Sequence, residues 1–190
     1  NKDTVKIEYS TNGGTSWITI IASDIDDGLY SWTVPMVDTL TALVRVTAYD
    51  KVARTASDIS DTYFVIDSTD PLVTVTQPNT LLYWRGGSLQ NITWTTTETN
   101  KDTVKIEYST NGGSSWITII ASDTDDGLYS WTVASVNTST ALVRVTAYDK
   151  VGNYASDISD TYFVIDSASP TVVFNGPEEF SWQRASFGID

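Results

Sequence analysis

The feature that most constrains the fold is an internal repeat with a period of 99 residues. The segment NKDTVKIEYSTNGGTSWITI, from Asn1, returns as NKDTVKIEYSTNGGSSWITI, from Asn100. Residues 1–71 and 100–170 differ at 11 positions and are identical at the other 60. Such a period is too long for a solenoid unit, but it suits one small β-domain. The repeat therefore predicts tandem modules arranged as beads on a string.

Two similar Asp-Ser-x-x-Pro segments, Asp67–Pro71 and Asp166–Pro170, mark where modules end. With module ends at these positions, the chain holds one complete module between two partial ones. Two explanations are open for the partial modules. The chain is a window on a longer polypeptide, or it shares strands between chains. Joining the two ends would still omit the equivalent of Ile92–Thr99, which favours the window. The predicted segments are 1–67, the C-terminal part of one module; 68–71, a linker; 72–166, a complete module; and 167–190, a linker and the start of a third module.

Alternating apolar and polar residues indicate an all-β fold, because helical periodicity is nearly absent. Val104, Ile106 and Tyr108 fall on one face of their strand. Lys105 and Glu107 fall on the other face, as expected of a sheet exposed to water on one side. The complete module is predicted to be a seven-stranded Ig-like or fibronectin-III-like sandwich. The predicted strands lie near Val73–Thr76, Asn91–Thr96, Thr103–Ser109, Trp116–Ala121, Tyr129–Val133, Ala141–Tyr148 and Thr161–Ile165.

Aromatic residues and turns complete this prediction. Trp94 and Trp131 are predicted core residues, and their indole N–H groups should find a partner. The Asn-Gly-Gly sequence before Trp116 resembles the Asp-box of sialidases with Asn in place of Asp. That box is a hairpin device rather than a catalytic element, and here we expect a tight turn with positive φ.

Composition excludes several functions. The 190 residues contain no His and no Cys, so disulfides, Cys/His zinc sites and His-dependent nucleophiles are excluded. A net charge of -13 argues against nucleic acid as a partner. No stretch approaches the roughly 20 apolar residues of a membrane span. Each acidic pair that might act as general acid and base recurs in both copies, which suits a structural role, and we expect no enzyme activity.

Several blocks, in order, carry a resemblance to a known family: VTVTQPNTLLYWRGGSLQNITWTTTE, VKIEYSTNGGSSWITI, DGLYSWTV, ALVRVTAYD and ISDTYFVID. They resemble the Ser/Thr-rich surface-protein domain related to yeast cell-wall glucan-assembly proteins. The resemblance covers Leu72–Asp166 in full and Asn1–Asp67 in its later part. The family pattern has Pro after SWTV, which Pro35 keeps and Ala134 does not. The segment from Asp149 also resembles the last hairpin of bacterial Ig-like adhesin modules. The resemblance implies a non-catalytic building block of large prokaryotic secreted or cell-surface proteins.

Carboxylates are predicted to gather at the joint between modules. If the strands run up and down between two poles, three loops share the pole where the module begins, and the preceding joint adds Asp67 and Asp70. Crowded like charges repel unless they are solvated or bridged, and hard oxygen ligands favour Ca²⁺. We therefore expect Ca²⁺ at the joint as the cofactor; the alternative is a solvated acidic end. The candidate ligands are Asp67, Asp70, Glu98, Asp102, Asp123, Asp125, Asp126 and Asp149.

Three functions follow from the sequence. The first is a structural repeat region of an extracellular stalk, adhesin, surface layer or filament, whose partners are other copies of itself or neighbouring modules. The second is a module that binds a carbohydrate or a host surface through exposed aromatic residues. The third is an accessory domain of a secreted hydrolase. Partners packed side by side would favour the first, and an exposed aromatic platform would favour the second.

Overall fold

The computed structural model describes residues 2–174, and all of its regular elements are β-strands. Residues 175–190, which hold most of the predicted third module, lie outside the described residues. In the described part of the chain, no helix is long and apolar enough to cross a membrane. The first copy (residues 1–71) forms β1 (Lys2–Ser10), β2 (Ile18–Ile25), β3 (Thr39–Asp50), β4 (Thr55–Ile59) and β5 (Phe64–Ile66).

The segment from 72 to 166 forms a sandwich of two sheets. Its strands are β6 (Leu72–Gln77), β7 (Tyr83–Arg85), β8 (Leu89–Thr97), β9 (Lys101–Ser109), β10 (Ile117–Thr124), β11 (Leu128–Thr132), β12 (Thr138–Asp149), β13 (Tyr154–Ile158) and β14 (Phe163–Asp166). One sheet has three strands in the order β11-β8-β6, and the other has six, in the order β10-β9-β12-β14-β7 with β13 also paired to β12. This arrangement of two sheets is an Ig-like, fibronectin-III-like sandwich.

All seven predicted strands are present, together with two that were not predicted as strands. The two are β7, which has three residues and pairs in parallel with β14, and β13, which forms an antiparallel pair with β12. Both are short, and in β13 the small and acidic residues Ala155, Ser156 and Asp157 give a weak β signal.

The core of this module comes from the inward positions of both sheets. Val104, Ile106 and Val145 are fully buried and share one apolar cluster with the inward residues of β6 and β8. Trp94 and Trp131 are only 3% and 6% exposed, which confirms them as core residues. Trp94 Nε1 donates a hydrogen bond to Asp125 Oδ1 at 2.7 Å, so the predicted indole partner is present there.

The outer face of β9 is not simply exposed to water, as the alternation predicted. Glu107 is 5% exposed, because its carboxylate lies under two cations. Lys105 Nζ is 2.7 Å from one carboxylate oxygen, and Arg144 Nη2 is 2.6 Å from the other. The Arg144 guanidinium also stacks 4.4 Å from the ring centroid of Trp116. Burial raises the pKa of Glu107, but the hydrogen bonds from Lys105 and Arg144 outweigh burial and hold the pKa below its ordinary value.

The described part of the first copy forms one sheet instead of a sandwich. Its strands have the order β2-β1-β3-β4, with β5 also on β3. Its GLYSWTV segment, from Gly28, forms no strand, although the same seven residues from Gly127 supply β11. The tight turns are alike in both copies. Gly112 and Gly113 have φ values of 66° and 88°, which confirms the predicted positive φ in the turn.

Candidate metal site at the joint between the two copies

The linker 68–71 is held to the first copy by Asp38. Asp38 Oδ1 accepts hydrogen bonds from the backbone N–H of Ser68 at 2.8 Å and from its hydroxyl at 3.0 Å. Asp38 Oδ2 accepts a hydrogen bond from the Thr69 hydroxyl at 2.7 Å. The bond from Thr69, followed by those from Ser68, lowers the pKa of Asp38 below its ordinary value. The linker therefore has a defined attachment to the module that precedes it.

Two asparagines of the following module hold the other side of the linker. Asn100 Nδ2 donates a hydrogen bond to Asp67 Oδ2 at 2.8 Å. Asn153 Nδ2 lies 3.4 Å from the carbonyl oxygen of Asp67 and 3.3 Å from that of Thr69. The same amide donates a hydrogen bond to Asp149 Oδ2 at 2.8 Å. The joint is therefore bridged by side chains as well as by the covalent chain.

Three of the predicted ligands meet at this joint. One carboxylate oxygen from each of Asp67, Glu98 and Asp149 lies within 4.8 Å of the other two. Asp67 follows β5, Glu98 lies between β8 and β9, and Asp149 ends β12. Asp149 is only 2% exposed, and its Oδ1 accepts hydrogen bonds from the backbone N–H groups of Val151, Gly152 and Asn153. These bonds fix the position of a buried carboxylate.

A fourth oxygen at the joint has no hydrogen-bond partner. Asn100 Oδ1 is shielded from solvent and accepts no hydrogen bond in the described structure, while its own amide nitrogen binds Asp67. A buried acceptor without a partner is rare in folded proteins, because it has lost its bonds to water without replacement. Asn100, Asp67 and Glu98 also line an open cleft of about 840 Å³ between the copies. A cation that entered this cleft would meet carboxylate and amide oxygens, the ligands that Ca²⁺ prefers.

The other five candidate ligands do not join the group. The carboxylate of Asp125 is turned into the core, where Oδ1 also accepts a bond from the Thr96 hydroxyl at 3.0 Å. Asp126 Oδ1 accepts the backbone N–H of Leu128 and so closes its own turn. Asp123 lies within β10, opposite Val104. Asp70 and Asp102 are exposed. A position at the same pole was therefore not sufficient to bring all eight carboxylates together. The turn bond of Asp126 and the bond from Trp94 to Asp125 direct these two side chains elsewhere.

Sequence reasoning missed the amide residues of the joint, because it searched only for carboxylates. Glu98 and Asn100 are two residues apart in the turn before β9, a spacing that a search for mixed carboxylate and amide ligands would have found. Asn153 carried a second signal, since it is one of the 11 positions that differ between the copies, with Arg54 as its equivalent.

The tryptophans of the complete module form no exposed platform among the described residues. Trp84, Trp94 and Trp131 are between 3% and 6% exposed. Trp116 is half-buried, with Arg144 stacked on its ring. Three tyrosines of this module are exposed, but they lie on or next to different strands: Tyr83, Tyr154 and Tyr162. Recognition of carbohydrate through aromatic residues stays a prediction.

Comparison with known proteins does not assign a family to the chain. No family model matches the chain, and no curated protein does. A solved structure described as fibronectin(III)-like modules of Clostridium thermocellum CbhA is similar, at 16% sequence identity and a TM-score of 0.44. The similarity covers 88% of this chain and 80% of that chain. The assignment as an Ig-like sandwich rests on the strand order described above.

Proposed function

We propose that the chain is a structural repeat segment of an extracellular or cell-surface protein, a stalk, adhesin, surface layer or filament, without catalytic activity. The observation that carries this proposal is the joint. Asp38 of one copy binds the linker at Ser68. Asn100 of the next copy binds Asp67, the residue before the linker, and Asn153 binds the carbonyl oxygens of Asp67 and Thr69. A joint held from both sides maintains the spacing between successive modules, as a tandem array that spans a distance requires. The proposal includes membership of the Ser/Thr-rich surface-protein domain family and a prokaryotic source.

The proposal assigns Ca²⁺ to the joint as the ion that stiffens it. Asp67, Glu98 and Asp149 bring three negative charges close together, and Asn100 Oδ1 adds an oxygen without a partner. Like charges at this distance repel, and a divalent cation that binds the three carboxylates would offset that repulsion. Because Asp67 ends the first copy and the other three residues belong to the second module, a bound ion would tie the two together.

Thermal unfolding with millimolar Ca²⁺ and with EDTA tests this assignment. A ligand that binds only the folded protein raises its melting temperature. We expect Ca²⁺ to raise the melting temperature of the wild type and of Asp126→Asn, which removes a carboxylate outside the group. Glu98→Gln, which removes one charge at the joint with little change in shape, should lose most of that rise. An equal melting temperature in Ca²⁺ and EDTA for the wild type would exclude a calcium joint.

The structural role itself is tested by the dimensions of the chain in solution. Small-angle scattering should give a single maximum dimension for the wild type. For Asn100→Ala combined with Asn153→Ala, it should give a broader distribution of maximum dimensions with a shorter mean. These two substitutions remove the side-chain bridges and leave the covalent linker intact. If the double variant scatters as the wild type does, the bridges do not set the spacing of the modules.

A further inference from the structure

The smaller sheet of the complete module carries no charged residue. Its strands β6, β8 and β11 hold 20 residues, and none of them is Asp, Glu, Lys or Arg. Charged residues make up 18% of the whole chain, and its net charge is -13. The larger sheet is charged, with Lys105, Glu107 and Arg144 together on its outer face. The smaller sheet therefore gives a strongly acidic protein one uncharged surface.

The outer face of the smaller sheet is defined by the alternation along its strands. Inward residues such as Ile92 and Trp131 are buried in the core. The outward residues are the alternate ones that begin at Leu72 in β6, Leu89 in β8 and Leu128 in β11, and we call them the Leu/Thr face. They are three leucines, six threonines, one serine and one asparagine. The three leucines are 66%, 66% and 47% exposed, so this face is open to solvent in the described structure.

Side chains on the Leu/Thr face are bound to one another across the strands. The hydroxyl oxygens of Thr76 and Thr93 lie 2.7 Å apart, and the Ser130 hydroxyl donates a hydrogen bond to Asn91 Oδ1 at 3.0 Å. A hydroxyl can both donate and accept, so an array of hydroxyls is complementary to a second copy of itself. The threonine methyl groups and the leucines add apolar contact area. A face that carried carboxylates would instead repel its own copy.

The edge of β6 offers less to a partner than the face does. The backbone N–H of Val75 already donates a hydrogen bond to Asp157 Oδ2 at 2.8 Å. Addition of a strand at this edge would break that bond and would desolvate a carboxylate. The Leu/Thr face imposes no such cost, because it has no charge. A partner that approaches this sheet therefore gains more from the face.

We propose that the Leu/Thr face is the surface through which a second copy of this chain packs alongside the first. The cores of protein interfaces are depleted of charged residues, and this face has none. A symmetric contact needs a surface that is complementary to itself, and an uncharged hydroxyl surface meets that condition. Stacking on a sugar ring is not supported here, because none of the outward residues is aromatic. The inference rests on the structural role proposed above, and it adds the partner and the surface.

The size of the face predicts a weak contact for each module. Strands that rise about 3.3 Å per residue and lie about 4.8 Å apart give the residues of this sheet a planar area of roughly 300 Å². A stable interface buries about 800 Å² of accessible surface on each partner. One module should therefore associate weakly. Tandem modules that present the same face would bind through several weak contacts at once.

Sedimentation equilibrium of the full chain tests the inference, at protein concentrations up to roughly 1 mM. We expect a monomer–dimer equilibrium that tightens as NaCl rises from about 50 to about 500 mM, because salt screens the repulsion between two acidic chains. An association held by ion pairs would weaken instead. The calcium and scattering experiments above do not depend on this contact, so the two proposals can fail separately.

A charge placed on the face gives the decisive comparison. Thr95→Glu and Thr95→Lys should each weaken the dimer by roughly tenfold or more, because either charge would be desolvated without a partner. Ser156→Glu and Ser156→Lys are the matched controls, since Ser156 is exposed on β13 of the larger sheet. These controls should associate as the wild type does. Thr132→Lys repeats the test at a second outward position, and it decides the case if the Thr95 variants do not fold.

Three results would overturn the proposal. The chain stays monomeric up to roughly 1 mM, NaCl weakens the dimer, or the variants at Thr95 and Thr132 associate as the wild type does. In the third case the contact lies elsewhere, with the single sheet of the first copy as the next candidate. A monomeric chain that binds a soluble neutral glucan, and that loses this binding in Thr95→Lys, would assign the face to carbohydrate instead.

Discussion

Val46 and Val145 occupy equivalent positions in two nearly identical copies, yet Val46 is 38% exposed and Val145 is fully buried. The copies therefore form an internal comparison of the same strands with and without a covering sheet. We predict that the amides of β3 exchange at least about tenfold faster than those of β12 in the unmodified chain, because uncovered strands open at lower free energy. Native-state hydrogen exchange measures this directly. Equal rates in the two strands would show that the covering sheet adds nothing to local stability.

The aromatic core gives a second prediction from matched substitutions. Phe163 is fully buried, with its ring centroid 4.8 Å from that of Trp84, whereas the equivalent Phe64 is only half-buried. Phe163→Ala should lower the free energy of unfolding of the second module by about 3–5 kcal/mol, through lost burial and a residual cavity. Phe64→Ala should cost clearly less. Urea unfolding followed by circular dichroism compares the two, and equal losses would contradict the burial that we describe.

The pKa of Glu107 predicts a dependence of stability on pH. Because its pKa lies below the ordinary value of 4.5 in the folded protein, the ionised carboxylate stabilises the fold above about pH 4.5. That contribution is lost as the pH falls through the lowered pKa. We expect Glu107→Gln to be less stable than the wild type at pH 7 by roughly 1–2 kcal/mol, since the two cations are partly solvated.

The difference between wild type and Glu107→Gln should shrink as the pH falls below 4.5, and urea midpoints measured from pH 7 to pH 3 follow it. Asp102→Asn is the matched control, because Asp102 is an exposed carboxylate on the same strand. It should shift the midpoints little at any pH. A constant difference for Glu107→Gln across this range would mean that its charge does not contribute.

A third pair of equivalent positions tests backbone strain. Gly152 has a φ of 95° in the turn after β12, and Ala53 has a φ of 63° in the same turn of the first copy. A side chain disfavours this region by about 1–2 kcal/mol, and nothing lies within 4 Å of the Cβ that alanine would add at Gly152. Gly152→Ala should therefore destabilise its module by about that amount. Ala53→Gly should stabilise the first copy by less, because glycine also gains entropy in the unfolded chain. The melting temperatures of the two variants should move in opposite directions.

Periodicity was sufficient to predict the sandwich and its main strands, but not every local structure. The segment DGLYSWTV occurs twice without a single difference, and it forms a strand only from Leu128 onward, where β8 lies beside it. No property of those eight residues predicts the difference, because a strand depends on its partner. Glu107 shows the same limit: alternation placed it on the outer face, and Lys105 and Arg144 then buried it. Short-range patterns define faces, whereas burial also depends on residues far away in sequence, as Arg144 is from Glu107.

The candidate site was predictable in its location but not in its composition. Three of eight acidic residues meet at the joint, and Asn100 and Asn153 complete it. The loops could be assigned to a pole from strand direction alone. The direction of each side chain depended on turn hydrogen bonds, such as the three that Asp149 Oδ1 accepts. Those bonds depend on the exact backbone conformation of the turn, which could not be predicted from the sequence.

The substitutions between the copies fall mainly where modules meet. Of the 11 differing positions, nine lie in 35–40, 53–55 and 69–70 of the first copy and their equivalents in the second. Asp38 binds Ser68 in one copy, and its counterpart Asn137 binds Ser167 in the other. Modules of nearly identical sequence are thus joined through different side chains. In a long series of such copies, the angle and the flexibility of each joint would vary while every module kept its fold, so flexibility could evolve separately from folding.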